Sequence, residues 1–385
     1  MRQLSGLSSF FAAFAVVWLA SSCASRPDLR SADGDESAPP VTAFTDSSVV
    51  LNSADNIEAV DVSSDARTVV ATRLDVEDYY WSVYNVTSGK SGREGRVSHY
   101  EFDAAGVAFY GNTSRVAAIT HEGRVAIWDV SSGKLVWKHD GPKTNLYGLA
   151  VAPRGLIATC GADGGITLFD PNKGGLDSVV ARWKAHDGEC RALSFDQGGE
   201  RLFSAGWDKT VAVWKTDGNL IRRIAVGNYA NDLSLNRDGR LVAVATSAER
   251  PVLNFEVYKR IEKGDPGNAD PGNGVYIFDA ETGQPVMFRA GERGPVTAVA
   301  ITPDGRYVAS GGWDFTVRLA RVKGAALVDE KKYNRHIRKL RFSADGRSLV
   351  VGNWTRPFKG QPSLTVHRLT FGKNEKKEWR SPPAL

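Results

Sequence analysis

The chain has 385 residues, of which 42% are hydrophobic and 24% are charged, and its formal net charge is +5. This composition is ordinary for a globular protein with a large core and excludes a disordered or low-complexity chain. Lys and Arg are scattered rather than gathered into a basic stripe, so we predict no nucleic-acid partner.

The first residues have the layout of an export signal. Arg2 supplies a short positive segment, and residues 7–20 form an uncharged apolar stretch that is too short for a typical membrane span. The small residues that end at Cys23 resemble a bacterial lipobox, although Ala20 stands where that motif usually has leucine. We therefore predict a signal peptide over residues 1–22 and a lipid anchor on Cys23, with an ordinary secretory signal as the alternative.

The lipobox resemblance implies where the protein resides. A chain anchored in this way is attached to a membrane of the bacterial cell envelope, on the periplasmic side of the outer membrane if the cell is Gram-negative. Residues 23–40 are rich in Ser, Asp and Pro, which is typical of a flexible tether.

From about residue 54 the sequence repeats a pattern of short apolar strands joined by tight turns. The residue that ends the third strand marks each unit, and these markers are Tyr84, Trp128, Phe169, Trp214, Phe278, Ala320 and His367. Their spacings are 44, 41, 45, 64, 42 and 47 residues, whereas four strands and their turns need roughly 40–45 residues. The chain therefore contains seven units, and the fifth carries an insertion. Apolar residues alternate with a period of two, as in strands, and helical periodicity is missing.

The unit that ends at Trp214 is the clearest copy. His186, Ser204, Asp208 and Trp214 fall where WD40 proteins have a buried, hydrogen-bonded tetrad. Such a network fixes a blade's geometry when every member is satisfied. The units thus resemble WD40 repeats over about residues 54–372.

The resemblance is uneven along the chain. The literal Trp-Asp dipeptide occurs once, at Trp128-Asp129, and the sixth and seventh units have Ala320 and His367 in place of the aromatic residue. Seven units in register still imply an all-β fold: a seven-bladed β-propeller of four-stranded antiparallel blades over residues 41–372. A charged tail follows over residues 373–385.

The last unit lacks an obvious fourth strand. An unpaired strand edge invites aggregation, so we expect another segment to complete this blade. Residues 41–51 are extended, contain the apolar run Ser48–Leu51 and precede the first full unit. We predict that this N-terminal strand closes the ring; the segment Glu378–Arg380 is the alternative.

Two cysteines remain besides Cys23. Cys160 lies in an apolar strand, and Cys190 opens the first strand of the next unit. Free cysteine is commonly a small core residue, and we predict two buried structural thiols. A disulfide between neighbouring blades is the alternative that an oxidising compartment would allow.

No common catalytic or phosphate-binding motif is present. We predict a protein that is not an enzyme and has neither a cofactor nor a metal site. The alternative is a propeller hydrolase or lyase acting on envelope glycans or peptides, which would need two convergent carboxylates or a pair of histidines in the channel. The repeated Asp-Pro-Gly-Asn at residues 265–268 and 270–273 offers oxygen ligands for calcium, but it is first a turn sequence.

The WD40 resemblance also implies a position for a binding site. In that family the residue before the turn aspartate lies beside the central channel, on the face formed by the turns between second and third strands. We call this the top face. These positions and their neighbours hold Trp207, Trp313, Trp354, His121, Tyr79 and Tyr80. Aromatic side chains there suit a binding surface, and the alternative is that the tryptophan rings pack over the adjacent blade.

Loop length points to the same face. The loop between the second and third strands is enlarged in the fifth unit (Ser247–Gly274) and in the seventh (Trp354–Pro362), and slightly in the first (Leu74–Tyr80). Insertions clustered on one face commonly build the binding site of a repeat protein. We predict a non-catalytic, monomeric scaffold, lipid-anchored in the envelope, that binds a protein partner or a ligand on its top face.

Overall fold

The computed structural model describes residues 39–52, 56–74, 79–86, 91–96, 104–111, 113–251, 269–333, 335–353 and 364–371. Within these ranges the chain forms seven four-stranded antiparallel sheets and two short 3-10 turns, Pro171–Lys173 and Gly175–Ser178. The inner strand of each sheet contacts that of the next, and the last contacts the first. The prediction of a seven-bladed β-propeller is confirmed.

The strands are numbered in chain order, and β1 (Val41–Asn52) precedes the first blade. Blade 1 consists of β2 (Asn56–Val62), β3 (Thr68–Leu74), β4 (Tyr79–Asn85) and β5 (Ser91–Arg96). Blade 2 consists of β6 (Ala104–Tyr110), β7 (Arg115–Thr120), β8 (Arg124–Asp129) and β9 (Leu135–Asp140). Blade 3 consists of β10 (Leu146–Val151), β11 (Ile157–Gly161), β12 (Gly165–Phe169) and β13 (Val179–Lys184).

The remaining blades follow the same order from the channel outward. Blade 4 consists of β14 (Cys190–Phe195), β15 (Arg201–Gly206), β16 (Thr210–Lys215) and β17 (Leu220–Ala225). Blade 5 consists of β18 (Tyr229–Leu235), β19 (Leu241–Ser247), β20 (Gly274–Asp279) and β21 (Pro285–Ala290). Blade 6 consists of β22 (Val296–Ile301), β23 (Tyr307–Gly312), β24 (Thr316–Arg321) and β25 (Leu327–Lys332). Blade 7 combines β26 (Ile337–Phe342), β27 (Ser348–Asn353) and β28 (Leu364–Phe371) with β1.

The core lies between the blades. In blade 4 every residue of β15 after Arg201 is buried, and so are Val211–Trp214 of β16, because both faces of the sheet are covered by neighbouring blades. This double burial explains why the middle strands read as continuous apolar runs. The outer strand β17, in contrast, is mostly exposed.

The N-terminal strand closes the ring, as predicted. β1 pairs with β28 in antiparallel fashion, with Val49 opposite Val366. Two hydrogen bonds also connect β1 to blade 6. The Val41 amide donates to Tyr307 Oη at 2.8 Å, and the Phe44 amide donates to Asp329 Oδ2 at 2.8 Å. The alternative segment, Glu378–Arg380, lies outside the described residues.

The prediction of two free thiols is wrong. Cys160 of β11 and Cys190 of β14 form a disulfide with a Cα–Cα distance of 5.6 Å, which joins blade 3 to blade 4. Both residues are buried. The sequence placed them in adjacent blades, but their distance depends on how closely the two sheets pack.

Removing this disulfide is expected to lower the stability of the propeller. The double substitution Cys160→Ala and Cys190→Ala opens a loop of 30 residues, and the lost restraint on the unfolded chain is worth about 3.6 kcal/mol. Thermal unfolding would show a lower midpoint than for the wild-type protein. A reductant added to the folded protein serves as a control and should leave the buried bond intact. An unchanged midpoint in the double variant would contradict the prediction.

Candidate functional site

The predicted tetrad side chains lie together in blade 4. His186 Nδ1 is 2.9 Å from Asp208 Oδ1, and His186 Nε2 is 2.8 Å from Ser204 Oγ. Trp214 Nε1 donates to the same Ser204 Oγ at 2.9 Å. Burial alone would raise the pKa of Asp208, but hydrogen bonds from His186 and Thr210 lower it. The network connects the loop before β14, which carries His186, to the turn between β15 and β16, which carries Asp208. Both ring nitrogens of His186 are therefore engaged inside the blade.

Blade 6 replaces this network with ion pairs. Arg318 of β24 forms ion pairs with Glu292 and with Asp314, the latter at 2.6 Å. Glu292 occupies the place of the tetrad histidine, and burial is the main cause of its raised pKa. Ala320 of blade 6 stands at the position that Trp214 holds in blade 4, so the sixth unit lacks the aromatic residue there.

The tryptophans expected on the top face are not exposed where the structure describes them. Trp207 is only 6% exposed and Trp313 is 5% exposed. Trp207 Nε1 donates to Asn231 Oδ1 in blade 5 at 3.0 Å, and Trp313 packs with Phe315. The expectation of an exposed aromatic cluster therefore fails for both residues, because each ring is covered by its neighbours.

Of the other predicted top-face residues, only His121 has a side chain that the structure describes. Trp354 lies outside the described residues. Tyr79 and Tyr80 belong to β4, but their side chains are also outside the description. His121 is partly exposed at the top face, with its ring centroid 5.9 Å from that of Tyr147.

A feature that the sequence analysis missed lies at the mouth of the central channel. The inner strand of every blade has a register irregularity near its start, where one residue is left unpaired. These seven residues are Glu58, Ala105, Tyr147, Arg191, Asn231, Thr297 and Arg338. We call them the bulge ring. β-Bulges often re-aim a side chain next to a functional site.

All seven members of the bulge ring line one cavity of about 70 Å³, together with His121. The next residue along each inner strand is small in five blades: Ala59, Gly106, Gly148, Ala192 and Ala298. Gly148 has no room for a side chain, since a Cβ there would lie 2.7 Å from Cys160 Sγ. The mouth is thus bordered by the bulge ring, in which every member except Ala105 carries a polar or charged side chain.

A row of rings and cations runs from the bulge ring across the top face of blades 3 to 5. The Arg191 guanidinium lies 4.0 Å from the ring centroid of Tyr147 and 4.5 Å from that of Trp207. Arg250 lies 5.7 Å from the Trp207 ring and 5.6 Å from the Tyr229 ring, and Lys209 Nζ lies 5.0 Å from the Tyr229 ring. Arg250 and Lys209 are exposed, so the row ends at the protein surface. Cation–π contacts of this kind contribute about 0.5–2 kcal/mol each.

Charged residues inside the channel are mostly paired. Lys339 Nζ is 2.7 Å from Asp232 Oδ1, which links blade 7 to blade 5 beside blade 6. Asp232 is 1% exposed. Burial is the main cause that lowers the pKa of Lys339 to about 8, so its ammonium group is still charged at neutral pH.

Three carboxylates of the channel are each held by a neighbouring group. Glu58 Oε2 is held by Arg338 at 3.0 Å. Asp61 Oδ2 accepts a hydrogen bond from the Phe109 amide of the next blade at 2.9 Å, and burial raises its pKa. Asp232 is held by Lys339. Each of these three carboxylates thus has a partner within the wall of the propeller.

The described residues contain neither a metal-binding cluster nor a membrane-spanning helix. Within the described ranges, no three histidine, cysteine, aspartate or glutamate side chains come together as a metal site requires. Asp270 Oδ1 accepts from the Gly272 amide at 2.7 Å in a turn, whereas residues 265–268 lie outside the description. Among the described residues, no helix has the length and apolar character needed to cross a bilayer.

Comparison with known families agrees with this architecture. The family model described as WD domain, G-beta repeat, matches residues 177–215 and 283–319. Each match runs from the end of one blade into the third strand of the next. The protein is thus a β-propeller that contains WD40 repeats, and propellers of this type generally bind protein partners.

Several curated proteins are similar to the chain. U3 snoRNP-associated protein-like EMB2271 of Arabidopsis thaliana is 22% identical over 323 residues, which cover 69% of this chain and 67% of that protein. Periodic tryptophan protein 2 homolog of Dictyostelium discoideum is 22% identical, over 60% of this chain and 23% of its own length. WD repeat-containing protein 1 of Gallus gallus is 36% identical, over 33% of this chain and 25% of its own length. The chain spans only about a quarter of the last two.

These relatives correct the predicted location. A place in the bacterial cell envelope is contradicted, because the similar proteins are eukaryotic and one of them is named for association with U3 snoRNP. A short apolar segment before a cysteine carries less information than a similarity over 323 residues. Residues 1–22, Cys23 and the tether up to residue 38 lie outside the described residues. Lipidation of Cys23 and the absence of a nucleic-acid partner stay predictions.

Proposed function

We propose that this protein is a binding scaffold that holds a protein partner on its top face, at the mouth of the central channel. The observation that carries this proposal is the bulge ring, because seven separate strands each direct one residue to the same cavity. A regular inner strand would satisfy the fold without this convergence. Polar and charged members of the ring offer donors and acceptors to a partner.

The size of the cavity favours a protein partner over a small molecule. A cavity of about 70 Å³ is well below the roughly 300–1,000 Å³ of typical ligand pockets. It can admit the end of one side chain. The remaining contact would come from the surrounding top face, where Tyr147 and Tyr229 are partly exposed and Arg250 is exposed. Tyr and Arg are enriched among the residues that dominate binding energy at interfaces.

Trp207 has a supporting role in this proposal. Its ring lies against both Arg191 and Arg250, while its indole N–H is bonded to Asn231. It therefore orients two cations of the top face without being exposed itself. Trp354, Tyr79 and Tyr80 stay predicted contributors at the edge of the same face.

The proposal is tested by affinity capture with matched variants. The immobilised protein would be incubated with an extract of the cells that produce it, and bound proteins would be quantified by mass spectrometry. A top-face variant carries Tyr147→Ala and Lys209→Ala; an outer-wall control carries Leu220→Ala and Ile221→Ala, two exposed positions of β17. We expect specific partners to be lost from the top-face variant and retained by the control. Retention by the top-face variant, or loss only from the control, would overturn the proposal.

A further inference from the structure

Two arginines of the bulge ring come from well-separated blades and border the same cavity. Arg191 lies in blade 4 and Arg338 in blade 7, and the side chains are 16% and 33% exposed, respectively. Each is held on one side by a carboxylate: Arg191 Nη1 is 3.1 Å from Glu189 Oε2, and Arg338 Nε is 3.0 Å from Glu58 Oε2. These pairs fix the position of each guanidinium group and engage only part of its five N–H donors.

The two guanidinium groups also repel each other. Burial is the main cause that lowers the pKa of Arg191, and the positive charge of Arg338 lowers it further. Two like charges that face one cavity raise the energy of the empty site. A bound anion would relieve this repulsion and gain charge-assisted hydrogen bonds from both groups.

The rest of the mouth leaves space for such a group. Between the two arginines, on the side of blades 5 and 6, the bulge ring contains only the neutral residues Asn231 and Thr297. Thr297 Oγ1 donates to the Ile337 carbonyl at 2.7 Å, so its hydroxyl is turned into the wall.

We propose that Arg191 and Arg338 together bind an oxyanion, a carboxylate or phosphate group carried by a side chain of the protein partner that enters the channel mouth. This inference rests on the proposed function and adds the chemistry of the residue recognised. Guanidinium groups suit this task because their planar fork matches the geometry of both oxyanions. The neighbouring Tyr147 and Trp207 rings hold Arg191 in place for it.

Binding of labelled peptides tests the inference directly. Fluorescence anisotropy would be measured with an oligoglutamate peptide, with a phosphoserine peptide and with an oligoglutamine peptide of equal length. We expect the anionic peptides to bind and oligoglutamine to bind at least tenfold more weakly. The stronger of the two anionic peptides identifies carboxylate or phosphate as the natural group, and either result supports the inference. Equal affinity for oligoglutamine would overturn it.

Variants separate a specific site from general attraction by charge. Arg191→Gln combined with Glu189→Gln, or Arg338→Gln combined with Glu58→Gln, removes one arginine without leaving its carboxylate unpaired, and is expected to weaken binding of the anionic peptide about tenfold or more. Arg182→Gln combined with Asp163→Asn is the matched control, because it removes one ion pair from the surface of blade 3, where the Arg182 side chain is 56% exposed. An equal loss in the control would show non-specific attraction and overturn the inference. The thermal midpoint of each variant would verify that the propeller is intact.

The same variants distinguish this inference from the proposed function. If the captured partner is retained by the Arg191→Gln and Glu189→Gln variant but lost from the Tyr147→Ala and Lys209→Ala variant, the top face binds a partner without oxyanion recognition. If no variant changes the capture, the proposed function itself fails.

Discussion

The substitution Trp207→Ala is expected to lower the free energy of unfolding by about 3–5 kcal/mol, the usual cost of removing a buried aromatic side chain. Trp207 is only 6% exposed, so the truncation leaves a cavity between blades 4 and 5. It also removes the donor that satisfies Asn231 Oδ1. The effect would be measured by chemical denaturation monitored by circular dichroism.

Two companion variants define the cause of this effect. Trp207→Phe keeps most of the buried ring and removes the indole N–H, and should cost about 1–3 kcal/mol for the unsatisfied Asn231 oxygen. Leu176→Ala is the exposed control, since Leu176 is 87% exposed, and should change stability by less than about 0.5 kcal/mol. If Trp207→Ala proved as mild as the control while partner binding fell, the ring would be a direct contact residue instead.

The substitution Lys339→Met is expected to lower the free energy of unfolding by about 3 kcal/mol or more, because it breaks a buried ion pair. Asp232 is 1% exposed and would lose its partner at 2.7 Å. Arg341 Nη1, at 3.9 Å from Asp232 Oδ2, can compensate only in part. Urea denaturation at neutral pH would report the loss.

A double variant shows whether the cost comes from the stranded carboxylate. Asp232→Asn combined with Lys339→Met removes both charges, so most of the lost stability should return, to within about 1 kcal/mol of the wild type. Lys209→Met is the matched control at an exposed position. If the double variant were as unstable as Lys339→Met alone, the packing of the lysine stem, and not the charge, would be responsible.

The number of blades could be predicted from the sequence because its signals are local. Strand alternation, turn residues and the spacing of residues such as Trp128 and Trp214 do not depend on how the blades meet. The strand at residues 41–51 could be predicted because the last unit lacked a fourth strand and its open edge required a partner. The tetrad side chains could be assigned because the fourth unit resembles a WD40 repeat.

The details of the site depend on contacts between blades, which no single repeat encodes. Whether Trp207 faces solvent or a neighbour is decided by Asn231, a residue of the next blade. The disulfide depends on the distance between β11 and β14. The bulge ring adds one residue per inner strand, and its trace in most blades is a polar residue beside a buried one, as in Cys190-Arg191 and Ile337-Arg338.

The closure of the ring by β1 has a consequence for synthesis on the ribosome. Blades 1 to 6 are each built from strands contiguous in the chain, so each sheet can form from neighbouring segments and pack against the preceding blade as synthesis proceeds. β1 emerges before any of them, yet its partner β28 ends at Phe371, and Val41 pairs with that residue. This most distant pairing requires the closure of a very long loop, which makes it slow. A nascent chain that ends before Leu364 therefore holds six complete blades and an open seam, and the ring can close only after β28 has been synthesised.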